Sequence, residues 1–138
     1  MEASKISFDD NYTLNIFSEY LNKNLMVVIS DELEASEEEL TLDYRSKIAA
    51  FINDTPTWYN QVCQEIIKWV KLTYNISIES TDIELMIIFI LFEQSEKELF
   101  GLDFRLTVDA EHGCGIQLKI NNGHYEIAKI GIADIALG

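Results

Sequence analysis

What this 138-residue chain lacks excludes much. It has one proline and six glycines, with no Pro-, Gly- or Ser-rich tract, so no segment has the composition of an interdomain linker. A single domain over residues 1–138 is therefore expected, and 48% apolar residues is enough to give it one core. The only cysteines, Cys63 and Cys114, form neither a CxxC motif nor a metal-ligand spacing, which implies a reduced, cytoplasmic setting. Met1 to Ser7 has no basic stretch leading into a long apolar run, so no signal peptide is expected. The longest apolar run, Leu85–Phe92, is 8 residues, far short of the roughly 20 a spanning helix needs.

Positive charge is scarce as well. Ten Lys and Arg against 24 Asp and Glu give a formal charge of -14. A field of that sign repels phosphate backbones and anionic lipid surfaces, so neither a nucleic-acid nor a membrane partner is expected. A basic protein would instead be steered toward the chain. Also missing are a GxSxG turn, a phosphate-binding glycine loop, an HExxH helix and an EF-hand loop. With two histidines, His112 and His124, on either side of a predicted hairpin, no metal or other cofactor is indicated.

What is present is mostly pattern. Phe100, Leu102, Phe104, Leu106 and Val108 alternate with polar or small residues, as in a strand with one buried face. A connection, Asp109 to Gly115, follows, and then a second alternating run with Ile116, Leu118 and Ile120 apolar. Asn122-Gly123 predicts a tight hairpin turn, because both residues tolerate positive φ. Counting back from it pairs Ile120 with Tyr125 and Leu118 with Ile127, but would set Ile116 against Lys129. A one-residue bulge near Ala128 brings Ile116 opposite Ile130.

Toward the N-terminus, Tyr12–Ile16 and Leu25–Ile29 read as two strands joined by a short turn. Six of the nine residues from Asp31 to Glu39 are acidic and none is basic, so this segment should be solvated. Ser36 and Glu39 have capping-box spacing, predicting an amphipathic helix from about Glu37 to Asn53 whose apolar face carries Leu40, Tyr44, Ile48, Phe51 and Ile52. Thr55-Pro56 predicts the start of a second helix, ending near Tyr74-Asn75, with Trp58 and Trp69 on its core face. Asp82–Phe92 is apolar on both parities, the mark of a strand at the centre of a sheet or covered on both sides. The expected fold is α+β, an antiparallel sheet of about six strands with two helices packed on one face.

Two stretches could carry function. The first is the acidic segment, where Asp31, Glu32, Glu34, Glu37 and Glu38 are candidate partner-binding residues. The second is Asp109-Ala110-Glu111-His112-Gly113-Cys114-Gly115. There Asp109, Glu111 and His112 are acid, base and ligand types, at the end of a strand where functional groups often sit. A purely structural role is the commoner one for such a loop. In that role Asp109 bonds loop amides, Gly113 or Gly115 takes positive φ, and His112 fixes the turn through a backbone carbonyl.

This loop, with Ile116 and the later run Ile130-Gly131-Ile132-Ala133-Asp134-Ile135-Ala136-Leu137, resembles the carboxy-terminal signature of a group of small, uncharacterised bacterial proteins associated with immunity in polymorphic-toxin systems. Many members have Trp before the Asp of the loop, where this chain has Val108. The resemblance implies a non-enzymatic immunity protein that neutralises a cognate toxin, and it assigns no catalytic role to any residue. The alternative is an enzyme or metal-dependent protein using Asp109, Glu111 and His112. Were the acidic segment not the interface, the strand face around Asp103, Arg105 and the Glu111-His112 loop would be the next candidate.

Overall fold

The structure, a computed structural model, describes all 138 residues. Its centre is a six-stranded sheet made of β1 (Thr13–Ser18), β2 (Lys23–Ile29), β3 (Ile83–Ile90), β4 (Leu99–Leu106), β5 (Asp109–Asn121) and β6 (His124–Gly131), in that spatial order. Every neighbouring pair is antiparallel except β2 and β3, which run parallel with Met26 beside Ile87 and Ile29 beside Ile90. The sheet is thus mixed rather than wholly antiparallel. A parallel pair needs a long crossover, and the residues between β2 and β3 supply one that contains both helices, α1 (Leu42–Asn53) and α2 (Thr55–Tyr74). No helix is long and apolar enough to cross a membrane.

Both helices cover the same sheet face. Leu25, Val27 and Ile29 of β2, Leu85, Ile88 and Ile90 of β3, and Phe100, Leu102 and Phe104 of β4 join Tyr44, Ile48, Phe51, Trp58, Val62 and Ile66 in one buried cluster. Phe51 is sandwiched between Trp58 and Phe100, with ring centroids 4.6 and 3.8 Å away and planes within 8° of parallel. The Trp58 indole N–H donates to the Phe51 carbonyl at 3.0 Å, so this tryptophan is core with its one donor satisfied. Trp69 is only partly buried and meets Tyr74 edge-on. Tyr44 locks the start of α1 to the chain after β3 by donating its hydroxyl to the Phe92 carbonyl at 2.6 Å.

The apolar residues on both parities of Asp82–Phe92 fit a strand inside the sheet: β3 is third in the six-strand order, and Ile87 and Phe89, on the other face from Ile88 and Ile90, are partly buried. β3 is irregular against β4 between Leu85 and Ile87, so Met86 is an extra residue and the buried parity changes there. The predicted hairpin forms as read: Ile120 pairs with Tyr125, Leu118 with Ile127 and Ile116 with Ile130, and the register shift leaves Ala128 unmatched.

Four local expectations are corrected. The strand ending predicted at Val108 stops at Leu106; Thr107-Val108 forms the turn, and Val108 is 40% exposed. Asp109–Gly115 is therefore the beginning of β5 rather than a connection. Leu106 pairs with Asp109 and Phe104 with Cys114, so Ala110 to Gly113 bulge out opposite Arg105 alone. The helix predicted from Glu37 begins at Leu42: Ser36 lies in a short 3-10 turn, and the cap is Thr41, whose hydroxyl accepts from the Tyr44 amide at 3.1 Å. Thr55, whose residue type favours the capping position, is instead the first residue of α2; Asp54 precedes it without a side-chain capping bond, and Asn75 ends the helix at φ 57.

Candidate functional site

The acidic segment leaves β2 and runs over the surface before α1. Asp31, Glu32, Glu34, Glu37, Glu38 and Glu39 are all exposed, as their composition predicts. The backbone beneath them is nevertheless fixed. The Glu93 carboxylate accepts from the amides of both Glu34 and Ala35 at 3.0 Å, Ala35 is buried, and Leu33 packs on the core. Gln94 continues the brace, accepting from the Thr41 amide at 2.9 Å and donating to the Glu39 carbonyl and the Glu38 carboxylate. A solvated segment thus has its backbone held in place, with the Glu37 and Glu38 carboxylates bonded to Tyr12 and Gln94, which lowers the ordering cost of meeting a partner.

Folding brings more charge to it. A groove of about 400 Å³ is lined by Glu37, Glu38 and Glu39 on one side and by Asp9 and Asp10 on the other, with Tyr12 and Arg45 between. Tyr12, at φ 61, donates its hydroxyl to the Glu37 carboxylate at 2.6 Å. That bond, then the Glu37 charge itself, pushes the phenol above its ordinary value. Asp9 is held in turn by accepting from the Asn11 and Thr13 amides at 2.9 and 3.0 Å. The Nε of Arg45 is buried without a hydrogen-bond partner. Asp9 and Asp10 had no local signal, since their place beside Glu37 depends on β1 pairing with β2.

The second stretch forms a brace. Asp109 accepts from the Tyr74 hydroxyl at 2.9 Å and from the His112 amide at 3.2 Å, and His112 Nδ1 lies 3.1 Å from both of its carboxylate oxygens. The Tyr74 bond first, and the His112 amide second, hold the Asp109 carboxyl below the usual carboxylate range. His112 thus meets a carboxylate rather than a backbone carbonyl. Gly113 takes φ 61, whereas Gly115 does not have positive φ. Glu111 is exposed, and the bulge that carries it ties the end of α2 to β5 through Tyr74 and Asp109.

The remaining chemistry-bearing groups do not converge. No group of three or more His, Cys, Asp and Glu side chains is arranged to hold a metal ion. Cys114 is buried, and burial together with the Asp103 charge pushes its thiol up to about 12. Asp103 is itself partly buried, close enough to Asp134 for that charge to add to burial in raising its carboxyl; Arg105 is exposed. Compared with protein-family models, with curated proteins and with solved structures, the chain matches none.

Proposed function

We propose that this is a non-enzymatic binding protein, an immunity protein that neutralises a cognate bacterial toxin through its acidic surface. One observation carries the reading: five exposed carboxylates, Asp31, Glu32, Glu34, Glu37 and Glu38, sit on backbone pinned by Glu93 and Gln94. Asp9 and Asp10 extend the patch across the groove. A formal charge of -14 complements the basic surface that a nucleic-acid-cleaving toxin needs for its own substrate. The resemblance of residues 109–137 to immunity proteins supports the same reading. A toxin that binds here would meet a field that speeds encounter and a surface that is already ordered.

The test is co-expression of this chain with the toxin domain encoded beside its gene, with growth and complex formation as readouts. Rescue of growth together with a one-to-one complex in size-exclusion chromatography is expected. Growth arrest unchanged by the chain, with no complex formed, would refute the reading.

A further inference from the structure

The two edges of the sheet are unlike. β6 is bulged at Ala128, carries His124, Glu126 and Lys129, and has its Tyr125 carbonyl engaged by Gln61 Nε2 at 3.3 Å. Bulges, charges and capping are how an edge strand is kept from pairing. β1, with the sequence Thr-Leu-Asn-Ile-Phe-Ser, has no charge and no proline. Its outward main-chain groups follow from its bonds. The Asp9 amide donates to the Thr13 carbonyl from outside the sheet, and the Asp9 carboxylate accepts from the Thr13 amide. Outward groups alternate along a strand, so the N–H and C=O of Asn15 and of Phe17 also point away from β2, and no turn, loop or side-chain hydrogen bond reaches them. Phe17 is 58% exposed.

Beside this edge lies a groove of about 940 Å³, lined by the whole run from Leu14 to Tyr20 and, across from it, by Ile52 and Pro56 at the junction of α1 and α2. Glu2 and Glu19 line it together with two cationic groups, Lys5 and the Met1 ammonium, which donates to Asn53 Oδ1. On the helix side Ile52 and Pro56 are its apolar wall, with Asn53 and Thr55 between them. The charges lining it balance, and the attraction for a basic segment comes from the chain as a whole, at -14.

We propose that the β1 edge and this groove form a docking site for an extended polypeptide segment of alternating apolar and basic residues, which adds to the sheet as a seventh strand. Main-chain hydrogen bonds to Asn15 and Phe17 supply the attachment, as in other cases of strand addition. Residues of the segment that face the helices lie against Leu14, Ile16, Ile52 and Pro56, so they are apolar. Those between them are Lys or Arg, matched to the formal charge of -14 that the chain carries. The site is distinct from the acidic groove at Glu37–Glu39 and does not depend on the immunity reading.

The probe is the capped peptide Lys-Val-Lys-Val-Lys-Val-Lys, titrated into the full chain by amide NMR. The expected result is saturable shifts centred on Asn15 and Phe17, with half-saturation below about 1 mM, and hydrogen exchange at those two amides slowed at least about tenfold. A counterpart methylated at every amide nitrogen, and another with Glu in place of Lys, should each bind at least about tenfold more weakly. Phe17→Pro, which removes an outward N–H and leaves the β1–β2 ladder intact, should weaken the peptide to a similar degree. Equal binding of the methylated peptide, shifts confined to Asp31–Glu39, or no binding of the Lys peptide would overturn the proposal. So would concentration-dependent broadening of the same amides without peptide, which would make a second copy of the chain the occupant.

Discussion

Gly101 of β4 lies directly against the backbone of Ala136: a Cβ built on this glycine would stand 1.8 Å from the Ala136 carbonyl oxygen and 2.8 Å from its carbon. The C-terminal 3-10 turn, Ala133–Leu137, therefore rests main chain on main chain over the sheet face opposite the helices. Gln117, on the same face in β5, donates its Nε2 to the Ile135 carbonyl at 2.9 Å and fixes the turn from the other strand. Gly101→Ala should displace the turn and cost about 2–4 kcal/mol, more than an ordinary overpacking change, because backbone cannot rotate aside as a side chain can. Urea denaturation gives the value. In a chain truncated before Ala133 the same substitution should cost less than about 1 kcal/mol; equal costs in both backgrounds would show that the glycine serves some other contact.

Gly113 and Gly115 both resist a side chain, for different reasons. Gly113 has φ 61, and a Cβ there would lie 2.5 Å from the Phe104 carbonyl oxygen. Gly115 does not have positive φ, but its Cβ would meet the Ile132 and Ala133 carbonyl oxygens at 2.6 and 2.7 Å. Valine at either position should destabilise by roughly 1–3 kcal/mol. Asparagine, which tolerates the left-handed region, should recover part of that loss at Gly113 and none at Gly115. Denaturation midpoints of the four variants test the distinction, and identical behaviour of the two asparagine variants would contradict it.

Stability should respond to pH in opposite senses at two aspartates. Burial, then the Asp134 charge, raises the Asp103 carboxyl. A carboxyl whose folded value lies above its unfolded value binds a proton more tightly when folded. It thus favours the fold in acid and loses that contribution as pH rises through the folded value. Asp103→Asn should accordingly stabilise at pH 7, by up to about 1 kcal/mol, with the gain vanishing below the ordinary carboxylate range. Asp109, lowered chiefly by the Tyr74 hydroxyl, behaves in reverse: its contribution is present above the unfolded value and disappears as pH falls through the folded one. Thermal melts of Asp103→Asn and Asp109→Asn between pH 3 and 7 should therefore diverge from the parent in opposite directions toward neutral pH.

The parts of this fold legible in the sequence are those fixed by neighbours along the chain. Asn122-Gly123 sets the hairpin, and the clash of Ile116 with Lys129 in a regular register is enough to place the bulge at Ala128. The β4–β5 turn was hidden because Thr107-Val108 carries no glycine, while Gly113 and Gly115 a few residues on look like the loop. The parallel pairing of β2 and β3 leaves no local mark, since it is decided by how the long crossover packs. The carboxylates of Asp31–Glu38 were legible as an exposed cluster. What holds them, Glu93 and Gln94, and what extends them, Asp9 and Asp10, come from distant positions brought together only by the sheet.

The acidic surface should be dispensable for folding and not for association. Changing Asp31 to Asn and Glu32, Glu34, Glu37 and Glu38 to Gln removes five charges but keeps an acceptor for the Tyr12 hydroxyl at residue 37 and for Gln94 at residue 38. The pinning bonds from Glu93 to the Glu34 and Ala35 amides are untouched, since they use main chain. Stability should stay within about 1 kcal/mol of the parent, and relief of like-charge crowding beside Asp9 and Asp10 acts in the favourable direction. The association rate with a basic toxin domain should fall at least about tenfold at roughly 20 mM salt, where screening is weak, and the gap should narrow as ionic strength rises. The dissociation rate should change much less, because exposed rim charges act on encounter more than on the docked complex. An unchanged association rate at low salt, in a variant that melts like the parent, would place the toxin interface elsewhere on the molecule. Its next location would be the far end of the sheet, where exposed Arg105 lies opposite the Ala110–Gly113 bulge.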